Sequence, residues 1–137
     1  MSSNTEKKAT DFVDKRKHQR LPVAVPASIK VGETETYSGT TRNISFSGAY
    51  INCAEDKVPE TGTSCVVTLT LQEGPEPVTI SIKARVKRFK DANVGLEFQA
   101  IFAEDYNDFV YLMMNNSPDP DALLEEISRN PGIKIHT

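Results

Sequence analysis

The sequence predicts a mainly β fold in which short antiparallel strands close on themselves or form a sandwich, with helices after them. Three observations predict this class. Apolar and polar residues alternate in several short segments, turn-type residues separate the segments, and helical spacing begins only near Tyr106. Short strands with turns between them are typical of barrels and sandwiches. With 137 residues, the chain has the size of one domain.

The alternation defines six segments of strand-like sequence. It is clearest from Val78 to Lys87, where every second residue is apolar. Pro26 lies in the first segment and predicts an edge or a bulge there, because proline cannot donate to a ladder. The predicted strands cover about residues 23–31, 36–44, 48–53, 64–71, 78–87 and 94–98.

Two helices are predicted after the last strand. The first has an apolar stripe at positions i, i+3, i+4 and i+7, which we expect to cover one mouth of a barrel as core and not as a ligand platform. The second begins with Asp119 as N-cap and Pro120 as first helical residue, and Pro131-Gly132 ends it. The stripe residues are Tyr106, Phe109, Val110 and Met113.

Composition and cysteine content exclude several classes. Hydrophobic residues make up 38% and charged residues 26%, as in ordinary soluble domains. No apolar run approaches the length of a membrane span, and the first residues lack a secretory pattern, so we expect a cytoplasmic protein without membrane insertion. Cys53 and Cys65 lie in apolar segments and are expected to be reduced, buried thiols. Cys53, Cys65, His18 and His136 are too few and too scattered for a zinc-type cluster.

The charge is distributed unevenly along the chain. Residues 1–50 carry eight Lys/Arg against five Asp/Glu, whereas residues 91–128 carry nine acids and no Lys or Arg, within a net charge of −3. A protein that wraps duplex nucleic acid is usually basic over a broad face. One concentrated basic segment in an acidic chain favours a small anionic ligand and argues against a duplex.

Two short motifs carry the chemistry. Arg16-Lys-His-Gln-Arg20 places two arginines four residues apart before the first strand, and Asn43-Ile-Ser-Phe-Ser-Gly48 lies at the junction of the next two strands. An arginine fork can grip phosphate or the O6/N7 edge of guanine. Asn43 offers an acceptor for guanine N–H groups, Ser45 adds a hydroxyl, and Gly48 allows close approach. Each motif alone is a weak signal, and the first alone is more typical of a solvated basic tail than of a binding site.

Taken in this order, the two motifs make the chain resemble the PilZ domain, a bacterial receptor family for the second messenger cyclic di-GMP. The resemblance covers about residues 14–114 and includes the Val94-Gly-Leu-Glu-Phe98 strand before a helix. It implies a six-stranded antiparallel β-barrel with C-terminal α-helices, and no cofactor. It implies that Arg16 and Arg20 hold phosphate and guanine, that Asn43 and Ser45 read the other guanine edge, and that Gly48 leaves room. Lys15 and Arg42 are added as phosphate contacts on charge alone.

The predicted organisation is a flexible tail (1–13), a PilZ-like domain (14–116) and a C-terminal helical extension (117–137). On binding, the positive N-terminal segment is expected to fold across the barrel and to signal to an unidentified protein partner. A surface of exposed acids on the second helix is a candidate docking surface. Two alternatives stay open at this point: an adaptor that works by protein contact with its nucleotide site unused, and a small nucleotide hydrolase. The four acids are Asp119, Asp121, Glu125 and Glu126.

Overall fold

The structure is a computed structural model that describes residues 18–53, 58–72, 75–90 and 92–136. The predicted tail (1–13), Lys15 and Arg16 lie outside these residues. Within them the chain forms seven strands and two helices. In chain order they are β1 (Pro26–Val31), β2 (Glu35–Ile44), β3 (Gly48–Cys53), β4 (Ser64–Leu71), β5 (Val78–Lys90), β6 (Asn93–Phe102), α1 (Ala103–Asn116), α2 (Pro120–Arg129) and β7 (Lys134–His136).

Six of the strands close into an antiparallel barrel in the order β3-β2-β1-β4-β5-β6, and pairing between β3 and β6 completes the ring. β7 lies outside the ring and pairs parallel with the second half of β6. The prediction of a six-stranded antiparallel barrel with C-terminal helices is therefore confirmed, and the sandwich is not formed. Closure gives each of these six strands a partner on both sides.

The barrel is filled by the apolar residues of the alternating segments, and α1 covers part of it. Phe109 on α1 is fully buried, and its ring meets Phe46 and Phe98 edge-on at centroid distances of 5.3 and 5.8 Å. Leu112 and Met113 are buried on the same helix face. The helical stripe is thus core at Phe109 and Met113, as predicted, while Tyr106 packs against the core and stays partly exposed.

The second helix begins as predicted. Asp119 accepts a hydrogen bond from Ala122 N at 3.2 Å, and Pro120 is the first helical residue. Asp121 and Glu125 are exposed, as expected for a docking surface, but Glu126 is not. Its carboxylate accepts a hydrogen bond from Gln19 N at 3.0 Å, so the prediction that Glu126 belongs to an exposed acidic surface is wrong.

The strand limits differ from the predicted ones for two local reasons. The first strand begins only at Pro26, because the Thr41 hydroxyl accepts from Val25 N and donates to Val23 O in place of ladder bonds. β5 and β6 extend further than predicted, and each carries one extra residue, Lys87 in β5 and Gln99 in β6. Such a bulge interrupts the alternation by which strands are identified in a sequence.

Both cysteines are free and buried, as predicted. Burial raises the pKa of the Cys65 thiol from its ordinary value of 9.0 to about 11, and it raises the pKa of Cys53 as well. Across the described ranges, neither helix has the length and apolar character that crossing a bilayer requires.

Candidate ligand site

An open cavity of about 440 Å³ lies on the outer surface of the barrel. It is bounded by the arginine segment, by the turn between β2 and β3, and by the outward side of β3, β5 and β6. Arg20, Ser45 and Gly48 of the two sequence motifs contribute to it together. The lining residues are Arg20, Ser45, Ser47, Gly48, Ala49, Tyr50, Lys87, Arg88, Gly95, Leu96 and Glu97.

A single β-bridge brings the two motifs together. Leu21 N donates to Ile44 O at 2.8 Å, and Ile44 N donates back to Leu21 O at 2.9 Å. Leu21 follows Arg20 directly, and Ile44 precedes Ser45 directly. Two sites more than twenty residues apart in sequence are therefore neighbours at the cavity rim.

Ser45 builds the turn that forms one wall of the cavity. Its hydroxyl oxygen accepts hydrogen bonds from Ser47 N and Gly48 N, both at 3.1 Å, and its backbone N–H donates to Gly48 O at 2.8 Å. The residue is 3% exposed. A hydroxyl used in this way satisfies local backbone donors and shapes the turn.

The space beside Gly48, where a side chain would lie, is occupied by backbone atoms of a neighbouring strand. A Cβ atom at this position would lie 2.2 Å from Leu96 O, which belongs to the strand that closes the ring. Within the same turn, Phe46 is fully buried among the core aromatics. Gly48 thus permits barrel closure at the cavity wall, and Phe46 fixes the turn to the core.

Tyr50 lines the cavity, and two arginines of the same lining lie close to its ring. The guanidinium carbon of Arg20 lies 5.8 Å from the Tyr50 ring centroid, and that of Arg88 lies 5.9 Å from it. These distances are typical of cation–π contacts. A Cβ atom on Gly95 would lie 2.9 Å from Tyr50 Cε1 and 3.2 Å from Arg88 Cγ, so the absence of a side chain there lets the ring and the arginine approach.

The cavity is locally basic although the chain is acidic overall. Arg20, Lys87 and Arg88 line it together with one carboxylate, Glu97. The carboxylate lies 3.9 Å from Lys87 Nζ, and both side chains are about half exposed, so the pairing is weak. A lining of three cations and one carboxylate suits a ligand with more than one negative charge.

Asn43 and Arg42 lie beside the cavity and do not line it. Arg42 is the extra residue of a bulge in β2 and is exposed. Asn43 pairs with Tyr50 across the two strands, and its Oδ1 atom is buried without a hydrogen-bond partner among the described residues. An acceptor in that situation is costly until a donor reaches it. Of the predicted site residues, Arg20, Ser45 and Gly48 are thus on the cavity, and Asn43 is adjacent through Tyr50.

Sequence reasoning missed Tyr50, Arg88 and Gly95. In the sequence, Lys83, Arg85, Lys87 and Arg88 form a basic run whose alternation favours a solvated strand face over a binding patch. The extra residue at Lys87 shifts the alternation, and it directs Arg88 to the side of the barrel where Gly95 lies opposite. The signal in the sequence is the pair of consecutive cations, Lys87 and Arg88, which interrupts a strict alternation of apolar and polar residues.

Fold and site together define a six-stranded β-barrel domain with a basic surface cavity at the junction of an arginine segment and a serine turn. The chain matches the PilZ domain family model over residues 14–114, which is most of its length. The protein belongs to the PilZ domain family.

Solved structures agree on the fold. The chain is similar to the Bacillus subtilis inhibitor of motility (MotI/DgrA), with a TM-score of 0.58 and 23% identity over 73% of this chain and 50% of that one. It therefore spans about half the length of that protein. It is also similar to the PilZ domain of CeSA from a cellulose-synthesizing bacterium, with a TM-score of 0.50 and 14% identity over 72% of this chain and 94% of that one. No curated protein matches the sequence.

Proposed function

We propose that this protein is a non-enzymatic receptor for cyclic di-GMP that passes the signal to a protein partner. The observation that carries the proposal is the convergence of Arg20 with the Ser45–Gly48 turn on one basic cavity, beside an aromatic ring. Membership of the PilZ family supports the same ligand.

Several groups in and around the cavity suit a cyclic guanine dinucleotide. Arg20 can bind a phosphate or the O6/N7 edge of a guanine through its fork. Tyr50 has a ring face on which a base can stack, and Arg88 can neutralise a phosphate or stack on the opposite side of a base. Arg16 supplies a second fork, Asn43 accepts from guanine N–H groups, and Lys15 and Arg42 add charge at the periphery.

The proposed response to the ligand begins in the N-terminal segment. Two phosphates neutralise the concentrated positive charge of residues 15–20, and the part of the segment that precedes His18 closes over the bound nucleotide. The new surface is then recognised by the partner. Because a ligand shifts a conformational equilibrium only by its differential affinity, this response requires contacts that form only in the closed state.

A hydrolase would need a second set of groups beside the cavity. Phosphodiester hydrolysis generally uses a metal or a cluster of carboxylate and histidine ligands. In the described part of the chain, no three His, Cys, Asp or Glu side chains group in a way that could hold a metal ion. We therefore propose binding without turnover, which incubation with cyclic di-GMP and analysis for linear products tests directly.

Calorimetric titration with cyclic di-GMP tests the receptor function, with cyclic di-AMP, a cyclic dinucleotide of the same charge, and GTP, a guanine nucleotide, as controls. We expect saturable binding of cyclic di-GMP alone. Arg20→Ala should weaken it by about 2 kcal/mol, or roughly 30-fold, since it removes a charge-assisted contact. Arg85→Ala is the matched control, because Arg85 is exposed on β5 and does not line the cavity. Wild-type protein that binds no cyclic di-GMP would support the adaptor alternative. If Arg20→Ala binds cyclic di-GMP with the affinity of wild type, the ligand does not bind at this cavity.

A further inference from the structure

We infer that the C-terminal extension is part of the nucleotide site, because it clamps His18 in the middle of the arginine motif and so holds Arg20 at the cavity. His18 is then a positioning residue. The clamp consists of Glu126, Asn130 and Gly132. This inference rests on the proposed binding of cyclic di-GMP and concerns the regulation of the same site.

His18 is anchored by the segment that follows α2. Its side chain is 5% exposed, unlike that of a solvated basic tail. The ring donates a hydrogen bond from Nε2 to the backbone carbonyl of Asn130. Because a carbonyl oxygen can only accept, the proton lies on Nε2. A buried imidazole with a satisfied donor is fixed in orientation, and its backbone is fixed with it.

Gly132 provides the space that the imidazole occupies. A Cβ atom on Gly132 would lie 2.7 Å from His18 Cε1 and 2.9 Å from Phe46 O. The residue also has φ of +80°, a conformation that favours glycine. The ring of His18 is therefore enclosed between the C-terminal segment and the turn that carries Ser45.

The neighbouring residue is held from α2. Gln19 N donates to Glu126 Oε1 at 3.0 Å. On the other side of Arg20, Leu21 is fixed to Ile44 by the two backbone hydrogen bonds of the β-bridge. Arg20 thus lies between two anchored points, one built by the C-terminal extension and one by the barrel.

This arrangement has a thermodynamic consequence for binding. A ligand that must order a loose segment spends part of its contact energy on that ordering, and a segment that is already ordered removes this cost. With the clamp in place, Arg20 already lines the cavity, so the clamped state is the one prepared to bind. Coupling of this kind is reciprocal, so bound nucleotide must stabilise the clamp in return.

The test compares three variants with wild type by titration with cyclic di-GMP and by thermal unfolding. His18→Leu keeps the bulk and removes the donor, and His18→Gln keeps an N–H group. Gly132→Ala, at a position that does not line the cavity, places a methyl group against the imidazole and against Phe46 O. We expect about tenfold weaker binding for His18→Leu and Gly132→Ala, the scale of ordering one side chain and its segment. His18→Gln should recover most of the affinity. His136→Gln is the control, since His136 lies on β7 and does not line the cavity.

A second measurement uses wild-type protein and needs no variant. Amide hydrogen exchange of residues 126–136 should slow on addition of cyclic di-GMP. Two results would contradict the clamp and leave the receptor function standing. One is folded His18→Leu protein that binds cyclic di-GMP with wild-type affinity. The other is exchange in residues 126–136 that is unchanged or faster with the nucleotide bound. Wild-type protein that binds no cyclic di-GMP would contradict both the receptor function and the clamp. If His18→Leu and Gly132→Ala do not fold, the exchange result on wild type decides.

Discussion

The two walls of the cavity are built in opposite ways. The serine turn is held by hydrogen bonds among residues 45–48, all within four positions of sequence. The arginine segment is held at His18 and Gln19 by groups 112 and 107 positions away. The first wall is therefore specified by local sequence and the second by tertiary structure. A receptor gains from this division, because a fixed wall reads the ligand while a remotely held wall can report its arrival.

The largest expected effect comes from removing the centre of the rigid wall. Ser45→Ala leaves the half-buried N–H groups of Ser47 and Gly48 without their acceptor, so the free energy of unfolding should fall by about 2 kcal/mol. Urea denaturation measures this change. Ser47→Ala is the control, because this partly exposed hydroxyl bonds only to Ser45 Oγ among the described contacts, and it should cost well under about 1 kcal/mol. Equal losses in the two variants would contradict the assignment of Ser45 as the structural centre.

A smaller effect is expected on the other wall. Glu126→Ala removes the acceptor of Gln19 N and should lower stability by about 1 kcal/mol, with faster amide exchange at Gln19 and unchanged exchange at Gly48. Urea denaturation and exchange detected by NMR measure the two quantities.

Glu125→Ala is the matched control for this variant. Glu125 is the exposed neighbour on α2, and its side chain pairs along its own helix with Arg129 at 3.0 Å. Its loss should therefore leave the exchange of Gln19 unchanged. If Glu126→Ala also leaves Gln19 unchanged, the arginine segment is held by something other than α2.

The smallest expected effect concerns the Cys65 thiol in the barrel beneath both walls, and it appears only at alkaline pH. Burial raises the pKa of Cys65 to about 11, so the native state keeps the thiol proton to a higher pH than the unfolded state does. Stability from this group is complete below pH 9 and is lost as pH rises from about 9 to about 11. Urea denaturation at pH 7.5 and pH 10, compared between wild type and Cys65→Ala, measures it. A difference between the two proteins that does not change with pH would show that the thiol is not desolvated.

Much of the fold could be predicted because its information is local. The alternation in β4 and β5, the cap at Asp119 and the helical spacing of Phe109 and Met113 each depend on a few neighbouring residues. β7 could not be predicted, since three residues are too few to establish an alternation and the strand exists only by pairing with β6. The bulge at Lys87 was missed for a related reason, because only the partner strand shows which residue is extra.

The site, like the fold, has residues that the sequence predicts and residues that it does not. Arg20, Ser45 and Gly48 could be identified because their residue types and their spacing along the sequence indicate ligand binding without knowledge of the fold. Tyr50 and Arg88 were not identified, because they become neighbours only across Gly95 in a third strand. The contact of His18 with Gly132 joins the two ends of the described chain, and no periodicity within either end indicates it.

The short strand β7 has a consequence for solubility. β3 covers the edge of β6 up to Glu97, and β7 covers the same edge from Ala100 to Phe102. A chain shortened before Lys134 would present free amide and carbonyl groups there, next to Phe102, whose side chain is 49% exposed. Such an edge is a template for pairing with another copy. Three residues at the end of the described chain thus protect the molecule from aggregating through the seam of its own barrel.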